Sequence, residues 1–176
     1  MRALLIMVLS GWVFGTLLMA FVATQNFRTV DRLLAAPTPA FSHAITPIGH
    51  DEARVVLRYL VSELNRLYFS AWGLTQLGLG AAVAVAAFGL RPLDRTMIAV
   101  TGTILVIAIV SLLLSQSLIS LGRSLDFVPR TVVSQEMVRF RTLHIAYTAL
   151  DLFKLTLCVW LLIRSTRQAG PVTMKR

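Results

Sequence analysis

Charge is scarce in this sequence, and its scarcity is uneven. Only 14% of the 176 residues are Asp, Glu, Lys or Arg, and three runs, Ala3 to Phe27, Leu67 to Leu90 and Thr96 to Gly122, contain none of them. A soluble domain carries about a quarter charged residues. Cysteine occurs once, at Cys158, which excludes an intrachain disulfide and any CxxC metal or redox motif. Of three histidines only His144 falls in an apolar segment, so two haems held by paired membrane histidines are excluded. No G-x-S-x-G, H-E-x-x-H or P-loop is present, so the recognised hydrolase and nucleotide machinery is missing and no cofactor is implied. The chain reads as a non-enzyme.

What is present is hydrocarbon. Hydrophobic residues make up 56% of the chain and the mean hydropathy is +0.74. A spanning helix needs about 20 apolar residues, and the three charge-free runs together with Thr142 to Ile163 supply four such segments. Ala20 to Ala23 offers small residues near a plausible signal-peptidase cut, but the first run exceeds the roughly 7 to 15 residues of a signal h-region, so a retained helix is expected. The expected fold is all-α: one integral membrane domain over residues 1–176, a four-helix bundle with spans near 3–27, 67–90, 96–122 and 142–163.

Residues 28–66 form a polar connection broken by Pro37, Pro39, Pro47 and Gly49. After these breakers Asp51 can cap a helix in which Ala53, Val56, Leu57, Leu60, Leu64 and Leu67 recur at i, i+3, i+4 spacing, a pattern of an amphipathic helix at the headgroup boundary or of an extension of the second span. Asn26 to Ala36 is read as continuing the first helix. Arg91 to Arg95, with Pro92, makes the second and third spans a hairpin, Gly122 is a natural stop, and Thr131 and Ser134 are candidate caps for the last helix.

Gly11 and Gly15 form G-x-x-x-G in the first span, and Gly78, Gly80 and Ala82 continue a stripe of small residues in the second. Small residues let helix backbones approach closely in lipid, where packing replaces the hydrophobic effect. All five are candidate packing positions.

The net charge of +9 has no aromatic-interleaved basic patch, RNP or zinc pattern beside it, which speaks against nucleic acid. Its arginines flank the spans, where anionic lipid headgroups are the natural partners. The N-terminus, short hairpin and tail hold seven Arg and Lys, the longer loops nine, and the longer loops also hold six of the eight acidic residues. Arg2 opens the first span, and the expected orientation places both termini in the cytoplasm at the cell membrane. A homo-oligomer or a membrane-complex partner is compatible with this pattern.

The fourth span breaks the apolar rule. His144, Tyr147, Asp151, Lys154 and Cys158 fall within an arc of roughly 80° on a helix. An ionisable side chain facing lipid costs about 2.5 to 3.5 kcal/mol, so such residues face a bundle interior or a watered cavity. Two readings follow. Asp151 and Lys154, at i,i+3, are a packing ion pair, or the stripe is a proton-linked site in which neighbours and desolvation tune the carboxylate, extended by Tyr147 and Gln76. A soft-metal site would have to combine His144 and Cys158 with methionines such as Met7, Met19 and Met97 from other helices.

The segment Gly11-Trp12-Val13-Phe14-Gly15-Thr16, the stretch Ala23 to Arg28 closing the first helix, and Leu143-His144 followed by Asp151-Leu152 resemble the transmembrane protein 205-like family of four-helix membrane domains. The resemblance runs through all four spans in order and length, and carries to Gly11, Gly15, Phe27 and His144. It implies a transport role or a part in metal or drug resistance. The long Pro-interrupted connection departs from the family pattern, which puts transfer of any substrate in doubt.

Overall fold

A computed structural model of the chain describes residues 1–90, 95–128 and 134–167. It contains five helices: α1 (Arg2–Ala35), α2 (Pro39–Ile45), α3 (His50–Phe88), α4 (Arg95–Ser124) and α5 (Gln135–Arg167). No strand occurs among the described residues, and the fold is all-α as expected. The four longer helices are long and apolar enough to cross a membrane. In the most apolar 18-residue stretch of each, only 17% to 33% of residues are buried inside the protein. Side chains such as Phe14, Phe21, Val106 and Leu113 point outward, a surface suited to hydrocarbon and unsuited to water.

Around the bundle α1 packs on α3 and α5, and α4 packs on the same two, so α3 faces α5 across a diagonal. The main core joins Leu5, Leu9 and Trp12 of α1, Val83 and Ala86 of α3, Met97 and Ile104 of α4, and Cys158 and Leu161 of α5. It thus brings together the start of α1, the end of α3, the start of α4 and the end of α5. Neighbouring helices are antiparallel, and Met1 and Arg167 lie at the same end, here termed the terminal end. Small α3 residues, Gly80 and Ala86 among them, allow the tight packing there.

At the opposite end the first two long helices overshoot. With 39 residues, α3 is about 58 Å long, roughly twice a bilayer's hydrocarbon core. The expected amphipathic segment is therefore an extension of the second span, and α1 runs on beyond Phe27 to meet it. Asp31 of α1 accepts from Arg54 at 3.1 Å and Arg58 at 3.0 Å. Beneath these pairs Val30, Leu34, Ala53 and Val61 form a second apolar cluster, covered by Phe41 and Ile45 of α2. Thr38 caps α2, its hydroxyl accepting from Phe41 N at 3.3 Å.

Several local expectations need correction. Asp51 does not cap α3: Gly49, at φ 81°, holds that position, a left-handed conformation that favours glycine. Asp51 instead sits in the first turn, where a carboxylate complements the helix dipole. Gly122 does not stop α4, which continues to Ser124. Ser134 does receive the N–H of Met137, at 3.2 Å. Thr131 and residues 91–94 of the expected hairpin connection lie outside the described residues.

The packing glycines divide. A Cβ on Gly15 would stand 2.3 Å from Trp72 Cη2, and one on Gly80 would stand 2.6 Å from Leu105 Cδ2, so both are close approaches. Gly11 and Gly78 are exposed with nothing within 4 Å of a built Cβ, and neither packs on another helix among the described residues. Ala82 is only partly buried.

Candidate functional site

The core ends halfway along the bundle. The last buried residue of α4 is Ser115, the first on α5 is Lys154, and α1 buries nothing between Thr16 and Val30. In that half Phe69 of α3 meets Tyr147 of α5, and Arg66 of α3 and Phe140 of α5 both border Gly122 of α4, where α3 in the terminal half presents Gly80 and Ala86. This half holds a cavity of about 540 Å³ bordered by all four long helices.

The stripe on α5 crosses the boundary between the dry and hollow halves. Lys154 and Cys158 are buried in the dry half, at 0% and 1% exposure, while Asp151, Tyr147 and His144 line the cavity. Lys154 Nζ donates to Asp151 Oδ1 one turn back and to Gln76 Oε1 on α3. Trp12 Nε1 of α1 donates to the same Gln76 oxygen at 3.2 Å. Three helices are thereby joined through one ammonium and one amide. The Asp151 side chain keeps 23% of its surface exposed, so the ion pair is sealed on the lysine side and open on the carboxylate side.

The aromatic walls are ordered by ring contacts. Tyr147 meets Phe69 edge-on at 6.2 Å between centroids, and His144 stacks on Phe140 at 6.0 Å. Toward the far end of the cavity Asn26 donates to Asn65 at 2.7 Å, and Asn65 donates to Ala23 O at 3.3 Å. Arg66 then closes the cavity with a bidentate pair to Asp126, at 2.8 and 2.5 Å, and a third bond to Glu63 at 2.5 Å. Arg123 reaches the other Glu63 oxygen at 3.3 Å. Arg123 first, and Arg66 after it, hold the Glu63 carboxyl below its ordinary value, and the Asp126 bond raises Arg66.

This second charged cluster was not anticipated from sequence. The only signal was position: Arg66 immediately precedes one charge-free run and Asp126 follows another.

Among the described residues the histidine and the cysteine of the stripe do not meet at one point. His144 and Cys158 share a stripe but are 14 positions apart on one helix, about 21 Å along its axis, so they cannot bind one ion together. Met97 is buried in the main core and Met7 faces outward, Met19 borders the cavity that His144 also lines, and among the described residues no three His, Cys, Asp or Glu side chains converge. What the arrangement offers is a roomy, aromatic-walled chamber with a carboxylate, a phenol and an imidazole on one wall. Its volume lies in the range of small-molecule sites. No family model, curated protein or solved structure matches this chain.

Proposed function

We propose that the chain is a non-enzymatic, multi-pass cell-membrane protein that acts as a proton-linked transport or resistance component, with the bundle cavity as its solute chamber. The observation that carries this reading is the asymmetry of the Asp151–Lys154 pair: the lysine is sealed, while the carboxylate borders the cavity. A carboxylate so placed meets whatever occupies the chamber while its partner Lys154 stays buried. Tyr147 and His144 extend the same wall. The resemblance to the transmembrane protein 205-like family points the same way, toward a membrane-borne resistance role.

The termini are assigned to the cytoplasm. The longer loops at the far end carry six of the eight acidic residues, and Arg2 opens α1 at the terminal end.

Purified protein in liposomes under an imposed pH gradient tests the proposal. Expected is proton flux that Asp151→Asn abolishes and Glu63→Gln leaves intact. Absence of flux, with the protein co-purifying in a larger complex, favours a structural or assembly subunit. That second reading has its own support: Lys154, Gln76 and Trp12 tie three helices whatever crosses the cavity.

A further inference from the structure

The cavity's mouth can be located from its lining. On α3 and α4 none of the lining residues is exposed, but on α1 Leu17 is 54% exposed and on α5 Leu152 is 60% exposed. Thr24 on α1, and His144 and Thr148 on α5, are exposed lining residues as well. The opening is the seam between α1 and α5, on the side of the bundle and not on its end. In a chain that spans the bilayer, that seam faces acyl chains.

The chemistry of the lining limits what enters there. Each charged lining side chain already has a counter-ion within the protein: Asp151 has Lys154, and Arg66 has Asp126 and Glu63. A charged solute would shed its water without meeting an uncompensated opposite charge, at a cost that aromatic walls do not repay. The groups left over are neutral or accepting. Tyr147 has no hydrogen-bond partner for its hydroxyl among the described residues, Asp151 engages Lys154 through Oδ1 and borders the cavity with its side chain 23% exposed, and Phe69, Trp72 and Tyr147 present ring surfaces.

We infer that this cavity binds a neutral, lipid-soluble phenol or hydroquinone that enters laterally between α1 and α5, donates its hydroxyl to Asp151 and lays its ring among Phe69, Trp72 and Tyr147. Pairing a hydroxyl donor with a buried acceptor gives selectivity that apolar walls lack. The inference rests on the transport reading only for its biological use, since binding is measurable without flux.

The test uses the full chain in lipid nanodiscs and a para-alkylphenol with a photoreactive diazirine on its alkyl chain. Expected is saturable labelling that maps to cavity residues such as Leu118 and Leu152. Unmodified para-alkylphenol competes it, whereas the matched alkylphenyl trimethylammonium and alkylbenzenesulfonate do not. Leu118→Trp, which fills the chamber, should reduce labelling about tenfold or more. Leu152→Trp at the mouth serves the same purpose should the first variant fail to fold, and Phe14→Trp on the outer surface should change nothing. Labelling spread over outward residues such as Phe14 and Val106 without saturation overturns the inference, as does equal competition by the ammonium compound. Saturable phenol labelling without proton flux leaves this inference standing and removes the transport reading; flux with diffuse labelling does the reverse.

Discussion

Lys154 on α5 donates across the bundle diagonal to Gln76 on α3, and no solvent reaches it. Its other partner, Asp151, is one turn away on the same helix and open to the cavity. The two members of the pair therefore differ in what happens when either is left alone.

Removing the aspartate should be the worse change. Asp151→Leu strands an ammonium with no water and one amide oxygen, and breaking a buried pair in this way costs about 3 to 5 kcal/mol. Lys154→Leu leaves a carboxylate that water in the cavity can reach, so its effect should be smaller. The double change Asp151→Leu/Lys154→Leu should recover much of the loss. Thermal unfolding in detergent of the three variants checks the order; an unchanged midpoint for Asp151→Leu would contradict the geometry.

The glycines supply a matched pair of tests. Gly15→Ala drives a methyl into the Trp72 ring, and overpacking of this kind costs typically about 1 to 3 kcal/mol. Gly11→Ala, one turn earlier, meets nothing and should be neutral or stabilise by up to about 1 kcal/mol through helix propensity. Unfolding midpoints of the two variants should move in opposite directions, or only the first should move.

Acid should loosen the far end before the core. Arg123 and Arg66 depress the Glu63 carboxyl below its ordinary 4.5. A depressed carboxylate adds stability that is fully present above the unfolded value and is lost as pH falls through the folded one. Hydrogen exchange at the α3–α4 contact should therefore accelerate below about pH 4.5, and Glu63→Gln should remove that part of the pH dependence. Identical acid profiles for the two proteins would refute the assignment.

The sequence shows more of the fold than of the site. Charge-free runs announce four spans because hydrocarbon tolerates little else, and the 100° step of a helix puts His144, Tyr147, Asp151, Lys154 and Cys158 on one stripe. Periodicity does not say where along that stripe the bundle closes. That depends on contacts such as that of Phe69 on α3 with Tyr147 on α5, between residues 78 positions apart. Gly11 and Gly15 look equivalent in G-x-x-x-G, and only the presence of Trp72 beside one of them separates them. The Arg66–Asp126 pair joins two loop margins 60 positions apart, and the recurrence of charges near span ends does not single it out.

The central claim is that the stripe is dry at Cys158 and open at Tyr147. It is tested most directly by thiol accessibility in intact membranes, comparing native Cys158 with a Tyr147→Cys/Cys158→Ala variant against a small, neutral thiol reagent. Only a thiolate reacts, and it forms only where water reaches it. The predicted result is rapid modification at position 147, with Cys158 modified only after denaturation. Rapid modification of Cys158, or equal protection of both positions, would contradict the account.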